Sequence, residues 1–351
     1  MRLEIKASTN FSRRRIALAL PLLGFAGAAL ANKTGSAAQL RSSRRLMGTQ
    51  VDMAVEGHDA AHLTLGVARA YAEMARLSDM MSRYMPSSPV SAIGRAAGAQ
   101  PVAVPPELMQ VLLAAQTLSQ RSSGAFDVTI GALKVWRFDL GQIENPSDRI
   151  LAQQLQLVNY RKLILNPRAG TAYLAERGMA LDLGGIAKLP ILEAGMRVLA
   201  AEGIHNALIN GGGDVFYRGN WQGRPWRFGL RDPRKPEQLL GRLALEGEGL
   251  LASSGDYERG FLSSDGQRQH HILDPRSGRP TRGPQGLSLL ARGGDASAAL
   301  NGLGAAIMVG GMAAGRRRIE TDARLEGLIV DQDGSVWSSA GMAGALRQRS
   351  A

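Results

Sequence analysis

Two neighbouring histidines are the residues of this sequence that point most directly to catalysis. The chain contains five histidines, and His270 and His271 open the run His-His-Ile-Leu-Asp-Pro-Arg-Ser-Gly. Because adjacent side chains on a strand face opposite sides, only one of the two is expected to face a site. A neutral imidazole can accept the proton of a hydroxyl group, so that histidine is a candidate general base. A purely structural histidine is the alternative at this stage.

Two glycine-rich segments indicate a place for a phosphate group. The first reads Asp-Leu-Gly-Gly-Ile-Ala-Lys over residues 182–188, where a strand is predicted to end and a helix to begin. Free N–H groups at the start of a helix attract an anion, and Lys188 adds positive charge. The second reads Asn-Gly-Gly-Gly-Asp over residues 210–214, and glycine lets the backbone approach a ligand closely. Close packing or a flexible turn would explain either pattern equally well.

Two further segments combine acidic and hydroxyl side chains. In Gly-Ala-Phe-Asp-Val-Thr-Ile-Gly, residues 124–131, Asp127 and Thr129 stand two positions apart. On an extended segment they point to the same side, so they are candidates to hold a ligand together. A capped turn is the alternative interpretation. The segment Ser-Ser-Gly-Asp-Tyr-Glu-Arg, residues 253–259, adds polar density shortly before the histidines.

Composition limits the classes of function. The 351 residues include no cysteine, which excludes disulfides, thiolate metal sites and a cysteine nucleophile. The net charge is +12, and a basic surface attracts nucleic acids, anionic lipids or phosphorylated ligands. The sequence shows no helix-turn-helix pattern, no zinc-ligand spacing and no basic strand with interleaved aromatic residues. We therefore expect no nucleic-acid partner, and a phosphate-bearing ligand accounts for part of the charge.

The N-terminus has the three parts of a signal peptide. Arg13–Arg15 precede an uncharged run, residues 16–30, which ends in Ala29-Leu30-Ala31. The run is shorter than the roughly 20 residues of a membrane-spanning helix, so no stable membrane insertion is expected after cleavage. The paired arginines resemble a twin-arginine signal, with an ordinary secretory signal as the alternative. The sequence thus predicts a signal peptide over residues 1–31, cleavage after Ala31, a periplasmic location and a basic flexible tail over 32–45.

The elements that must position these residues are of mixed type. Met47–Glu56 is predicted as a strand, and His58–Tyr84 as a helix with an apolar face. A second helix is expected from Pro105 to about Gln120. Further strands are predicted over Lys162–Leu165, Ala180–Leu183, Ala207–Asn210, Trp226–Leu230 and Leu243–Ala252. Further helices are predicted over Pro190–Glu202 and Ala299–Val309. The simplest interpretation is one α+β unit over residues 46–346.

In their order along the chain, these segments resemble the ApbE family of FAD:protein FMN transferases. The family opens with Met-Gly-Thr, which occurs here as Met47-Gly48-Thr49. Its other motifs match residues 124–131, 182–188, 210–214, 254–259 and 271–278. The resemblance runs from Met47 to Gly278 and extends more weakly to Gly311. It implies a single two-lobed α/β unit with a flavin-binding cleft between the lobes.

The resemblance also implies a reaction and a set of site residues. The family transfers FMN from FAD to a threonine or serine hydroxyl of an exported flavoprotein and releases AMP, with Mg²⁺ on the pyrophosphate. His271, not His270, matches the reactive histidine, and Lys188 is placed near the pyrophosphate. The cofactor-binding positions that the resemblance implies are Met47, Tyr84, Asp127, Thr129, Asp182, Gly184, Gly185, Lys188, Gly212, Gly213, Asp214, Ser254, Gly255, Asp256 and Tyr257.

The sequence departs from the family at the metal-binding positions. Where the family has an aspartate and, four residues later, a threonine, this chain has Asn301 and Ala305. Because magnesium prefers anionic oxygen ligands, its affinity should be lower, with Asp295 as a candidate substitute ligand. Gly94 and Leu189 also differ from the family pattern. The alternative function is therefore a periplasmic FAD-binding protein with weakened or lost catalysis that stores or delivers flavin. Hydrolysis of FAD to FMN and AMP is a third reading.

Overall fold

A computed structural model describes residues 37–136, 138, 145–264, 266–294 and 296–346. Its strands are β1 Ala38–Leu46, β2 Thr49–Gly57, β3 Val102–Ala103, β4 Leu163–Asn166, β5 Thr171–Leu174, β6 Asn206–Gly211, β7 Asp214–Gly219, β8 Trp226–Arg231, β9 Leu239–Leu245, β10 Gly247–Gly255, β11 Gly260–Leu262, β12 Arg268–His270, β13 Gly286–Arg292, β14 Leu325–Val330 and β15 Val336–Ser338. Its α-helices are α1 Ala60–Met81, α2 Pro89–Arg95, α3 Pro106–Arg121, α4 Asp148–Leu155, α5 Lys188–Ala201, α6 Ala296–Leu300, α7 Leu303–Gly310, α8 Met312–Glu320 and α9 Ala340–Ala345.

An eight-stranded sheet organises the fold, in the order β1-β2-β6-β7-β10-β13-β14-β15. Every neighbouring pair in it is antiparallel. A smaller three-stranded sheet has the order β3-β5-β4, and two hairpins, β8–β9 and β11–β12, complete the strands of the described residues. Helices and antiparallel sheet are both extensive, so the predicted α+β class is confirmed.

The two faces of the large sheet are covered differently. Helices α1 and α5 pack together on one face, and the predicted apolar face of α1 is buried there. Its buried members include the five residues that define the pattern: Leu63, Val67, Ala70, Met74 and Leu77. The hairpin β8–β9 covers the other face and forms a second apolar cluster around Trp226 and Phe228. Helical spacing in the sequence was therefore a sound guide to the core.

The prediction of a flexible tail over residues 32–45 is wrong from residue 38 onward. These residues form β1, which pairs with β2 along its whole length. Its arginines have aromatic partners, because Arg41 lies over the ring of Trp221 and Arg44 over the ring of Tyr71. The basic composition of this segment suggested a solvated tail, but the segment is a strand whose long side chains cover aromatic surface.

Three other element predictions need correction, and glycine explains two of them. Strand Leu243–Ala252 is in fact two strands, because Gly247 has φ +80° and turns the chain. Helix Ala299–Val309 is interrupted by Gly302 at φ +72°, between α6 and α7. The segment 180–183 forms a single bridge, Ile130 with Ala180, and no strand. The segment packs tightly against Gly131, because a Cβ added to that glycine would lie only 2.5 Å from the carbonyl carbon of Leu181.

Candidate active site

The turn between β1 and β2 brings three of the predicted segments together. Met47 and Gly48 form it with φ values of 52° and 68°, a left-handed pair that suits a tight hairpin but is uncommon for methionine. The Arg259 guanidinium donates a hydrogen bond to the Gly48 carbonyl at 3.2 Å. Thr49 packs against Gly212, where a Cβ would lie 2.5 Å from the threonine Oγ1. Gly212 has φ +68°, so glycine meets both a conformational and a spatial requirement there.

An ion pair joins the two glycine-rich segments. Lys188 is the first residue of α5, and its Nζ lies 2.9 Å from Oδ2 of Asp214. The other oxygen of Asp214 accepts a hydrogen bond from the Ser253 N–H at 3.2 Å. Gly211 lets α5 approach the loop, since a Cβ there would lie 2.7 Å from the Leu192 side chain. The lysine is partly exposed, so a positive charge faces the space between these loops.

Asp182 holds the turn before α5 in shape. One carboxylate oxygen accepts a hydrogen bond from the Gly184 N–H at 2.8 Å, and the other accepts one from Arg83 at 2.7 Å. Arg83 also donates to the Gly131 carbonyl at 3.2 Å. Its neighbour Tyr84 is 79% exposed, so the aromatic ring is available to a ligand. The family resemblance implies that the region around Arg83 and Tyr84 approaches the flavin ring, and the contacts of Arg83 with Asp182 and Gly131 were not predicted.

His271 is oriented as a proton acceptor. Its backbone N–H donates to the Arg259 carbonyl at 3.1 Å, and Nδ1 lies 3.3 Å from the same oxygen. Because a carbonyl oxygen only accepts, Nδ1 carries the hydrogen and Nε2 keeps a free lone pair. The side chain retains contact with solvent. Although the residue has an exposed edge, desolvation of the ring lowers the pKa of His271 from 6.5 to about 4; the charges of Arg259, His270 and Lys188 act in the same direction, and the hydrogen bond to the Arg259 carbonyl opposes them.

His270 faces the other way, as strand alternation predicts. It ends β12, is 3% exposed, and donates from Nε2 to the Thr281 carbonyl at 2.9 Å. Its Nδ1 is buried without a partner, and burial lowers the pKa of its imidazole. Of the two histidines, His270 therefore belongs to the core and His271 to the site. Beyond them, Leu273 packs into an apolar cluster with Trp136 and anchors the histidine loop.

Asp127 and Thr129 form the capped turn that was the alternative interpretation, and their cofactor contact stays a prediction. Both are buried, and one Asp127 oxygen accepts from the N–H and the hydroxyl of Thr129 at 2.8 and 2.6 Å. The other oxygen accepts from the Tyr160 N–H at 2.8 Å. Thr129 Oγ1 in turn accepts from the Asn159 N–H at 2.8 Å. The pair therefore fixes residues 159–160, and burial raises the pKa of Asp127. The capped turn was the better of the two interpretations.

The segment after β10 is also largely engaged by the protein itself. Asp256 is buried and forms two hydrogen bonds of 2.6 Å with Arg234. The ring of Tyr257 lies against Gly255, and burial raises the pKa of the tyrosine to about 12. Ser254 lies against α7, where a Cβ on Gly304 would be 2.3 Å from the serine Oγ. Asp256, one of the predicted cofactor-binding residues, is therefore already paired with an arginine of the protein.

The residues at the family's metal positions do not fit a magnesium ion. Asn301 has a buried Oδ1 without a hydrogen-bond partner, which is one neutral oxygen ligand. Ala305 offers only a methyl group, near Gly185. Asp295 lies outside the described residues. Within the described part of the chain, no group of three or more His, Cys, Asp or Glu residues could hold a metal. Magnesium is usually bound through one or two carboxylates, and these positions supply none.

The fold and the histidine site define the class of flavin transferases, and comparisons support it. The chain belongs to the ApbE family, whose model matches residues 47–329. A FAD:protein FMN transferase of Klebsiella pneumoniae is 34% identical over 237 residues, which cover 67% of this chain and 72% of the relative. One from Treponema pallidum is 30% identical over 238 residues, which cover 63% of this chain and 65% of that protein.

Solved structures agree with the family assignment. The ApbE protein of Thermotoga maritima has a TM-score of 0.79 and 27% identity, covering 89% of this chain and all of the other. The flavin transferase ApbE of Vibrio cholerae has a TM-score of 0.75 and 25% identity, covering 88% of this chain and all of the other. These similarities confirm the fold and the family that the sequence motifs predict.

Proposed function

We propose that this protein transfers FMN from FAD to a hydroxyl group of a partner flavoprotein. One observation above all carries the proposal: Nδ1–H of His271 is directed at the Arg259 carbonyl, which leaves Nε2 free to accept a proton. The charges of Arg259 and Lys188 act on the same imidazole. A base beside two cations suits the attack of a hydroxyl group on a phosphoric anhydride. The relatives named above are FAD:protein FMN transferases, which supports this reaction.

The reaction that we propose is a phosphoryl-type displacement. The threonine or serine oxygen of the acceptor attacks the phosphorus atom on the FMN side of FAD, while Nε2 of His271 takes the hydroxyl proton. The bond from that phosphorus to the bridging oxygen breaks, and AMP leaves with the electron pair. Lys188 and Arg259 stabilise the negative charge on the phosphate oxygens. The products are a phosphoester-linked FMN and AMP.

The cleft residues take separate parts in the proposed FAD complex. The glycines at 184–185 and 211–213 let the backbone approach the nucleotide closely. Tyr84, which is 79% exposed, and Met47 in its left-handed turn lie against the flavin ring. Residues 254–257 support these loops from behind, because Asp256 is buried against Arg234 and the ring of Tyr257 packs on Gly255. We assign Asp127 and Thr129 a supporting part, because both are buried and bond to residues 159–160.

A second candidate function follows from the metal positions. Asn301 provides a neutral amide and Ala305 no ligand at all, so a protein of this family could bind FAD without transferring FMN. Such a periplasmic flavin carrier would store or deliver FAD. A third reading, hydrolysis of FAD to FMN and AMP, would use the same base with water as the attacking group.

One experiment separates these functions. The protein is expressed together with exported flavoproteins of its own organism, and covalent flavin is read by fluorescence in denaturing gels. FAD and FMN affinities are measured by calorimetry. Transfer predicts a fluorescent acceptor and tighter binding of FAD than of FMN. Retained FAD with no labelled acceptor favours the carrier, and free AMP without a labelled acceptor favours hydrolysis. Equal or tighter FMN binding would refute the proposed cleft.

Restoring the family's metal ligands should create magnesium dependence. In the double variant Asn301→Asp and Ala305→Thr, a carboxylate and a hydroxyl replace an amide and a methyl group, so magnesium should bind more tightly. We expect Mg²⁺ to raise the Tm of the double variant and to change that of the unmodified protein little. Transfer by the unmodified protein should respond little to Mg²⁺, and Ala305→Thr alone is the control. Half-maximal activity at micromolar Mg²⁺ in the unmodified protein would show that another ligand set is used.

We propose that the protein acts in the periplasm after removal of residues 1–31. The arginine-rich start, the short apolar run and Ala29-Leu30-Ala31 support this, although they lie outside the described residues. Among the residues that are described, no helix has the length and apolar character of a membrane span. The intact mass of periplasmic protein should correspond to a chain that begins at Asn32. Full-length protein found only in the cytoplasm would argue against export.

A further inference from the structure

Strand β1 forms a long edge of the large sheet. It spans nine residues, Ala38–Leu46, and is about 30 Å long at the usual rise of a strand. Within the part of the chain that the structure describes, β2 is the only strand that pairs with it, and α1 packs against its face. Edge strands in native proteins are often short or interrupted because unpaired backbone groups invite pairing with another chain. A regular edge of this length is therefore a candidate surface for pairing with another chain.

The register shows which backbone groups of β1 face outward. The two-residue turn at 47–48 makes Leu46 and Thr49 a hydrogen-bonded pair, and hydrogen-bonded pairs then recur at every second residue. The even-numbered residues of β1 thus bond to β2. The N–H and C=O groups of the odd-numbered ones point to the free edge. These residues are Gln39, Arg41, Ser43 and Arg45.

The free edge leads directly into the active site. β1 ends at the Met47–Gly48 turn, whose Gly48 carbonyl accepts a hydrogen bond from Arg259. The backbone carbonyl of Arg259 in turn orients His271. An extended segment that continued along β1 would therefore arrive beside the proposed base. A series of consecutive contacts therefore connects the free edge of β1 to the active site.

The charge of the edge selects the kind of segment that fits it. β1 carries Arg41, Arg44 and Arg45 and no acidic residue. Arg41 and Arg44 lie over aromatic rings, so their guanidinium groups stay at the surface, and all three arginines are exposed. The nearest acid on β2 is Asp52, opposite Ser43, and Gln50 donates a hydrogen bond to it at 2.9 Å. An acidic extended segment complements this edge.

We infer that β1 is the docking edge for the acceptor protein, which adds an acidic extended segment as a ninth strand. This inference rests on the proposed function, because it names how the acceptor reaches the site. Backbone hydrogen bonds to the outward groups supply affinity and place the hydroxyl residue beyond Met47. The arginines select acidic sequences.

A pair of substitutions at residue 43 tests the backbone part of the inference. Ser43→Pro removes one outward N–H and leaves the ladder with β2 intact, as proline is tolerated on a free edge. Ser43→Ala is the matched control. The probe is a short labelled peptide in which glutamates alternate with valines around one threonine, and its counterpart has glutamine for glutamate. The acidic peptide should bind about tenfold more tightly than the neutral one, since the edge is basic. Ser43→Pro should abolish binding, and Ser43→Ala should not.

Hydrogen exchange gives an independent measurement on the same complex. The acidic peptide should protect the amides of Gln39, Arg41, Ser43 and Arg45, because only these face the added strand. Equal binding of both peptides, unchanged binding by Ser43→Pro, or protection elsewhere would refute the inference. So would protection of these four amides before peptide is added, since a second copy of the chain would then occupy the edge. Covalent transfer is assayed separately, so transfer without protection of β1 would refute only the docking edge.

Discussion

Replacing His271 with alanine should slow FMN transfer by about 100- to 10,000-fold, which is the usual contribution of a general base. Nδ1 of the imidazole lies 3.3 Å from the Arg259 carbonyl, so Nε2 is the atom that accepts the proton. The substitution removes this proton acceptor. FAD should stay bound, since the glycine loops and Lys188 are untouched. The measurement is covalent flavin on the acceptor, with FAD retention and Tm recorded on the same preparations.

His270 is the natural control because it is the same residue type one position away. It is 3% exposed and bonded to the Thr281 carbonyl, so His270→Ala should cost stability by roughly 1–3 kcal/mol. Molecules that remain folded should still transfer FMN. Transfer by His271→Ala at the unmodified rate would show that His271 is not the base.

The pH dependence follows from the same site. With a lowered pKa of about 4, His271 is neutral at pH 5 and above, which is the form that accepts a proton. Transfer should therefore persist well below pH 6.5 and fall as the pH approaches 4. The free energy of unfolding should also decrease as the pH is lowered. An unfolded histidine binds a proton near pH 6.5, so the stability that the neutral form contributes is lost between about 6.5 and 4. An acid limb of kcat/KM near 6.5 would point to a different base.

The sequence was most informative where one local rule determines the answer. The 3.6-residue spacing identified the buried face of α1. The prediction that only one of the two histidines faces outward agrees with the structure, where His270 ends β12 and is buried and His271 follows it and is exposed. Motif order identified the family. In each case the decisive property belongs to a short segment and does not depend on what the segment packs against.

The errors came from partners that lie far away along the chain. Residues 38–45 resembled a tail because the rings that their arginines cover belong to Tyr71 and Trp221. For Asp127 the local capped turn with Thr129 was one of two open interpretations, and nothing in the sequence indicated its second partner, the N–H of residue 160. The site roles of Arg83 and Arg259 rest on contacts with Asp182 and Gly48, at separations of 99 and 211 residues. Local patterns carry no information about such pairs.

Removing the charge of Lys188 should weaken FAD binding, and removing the charge of Asp214 should strengthen it. The ammonium group lies 2.9 Å from the carboxylate, so the acid neutralises part of the charge that a pyrophosphate would meet. Lys188→Gln removes the cation, and we expect FAD to bind at least about tenfold more weakly. Transfer at saturating FAD should fall by roughly 100- to 1,000-fold, the usual cost of losing one charge-stabilising donor. Asp214→Asn leaves Lys188 uncompensated, so FAD should bind more tightly than to the unmodified protein.

The amide in Asp214→Asn keeps an oxygen for the Ser253 N–H, so the loop should retain its shape. A matched ion pair provides the control. Lys162 and Glu176 lie 2.6 Å apart beside the three-stranded sheet, and Lys162 is exposed to a similar degree as Lys188. Lys162→Gln should leave FAD affinity and transfer unchanged. Calorimetry with FAD on all three variants decides the question. If Asp214→Asn weakens FAD binding as much as Lys188→Gln does, the pair holds the two glycine loops together, and Lys188 is not the residue that binds the phosphates.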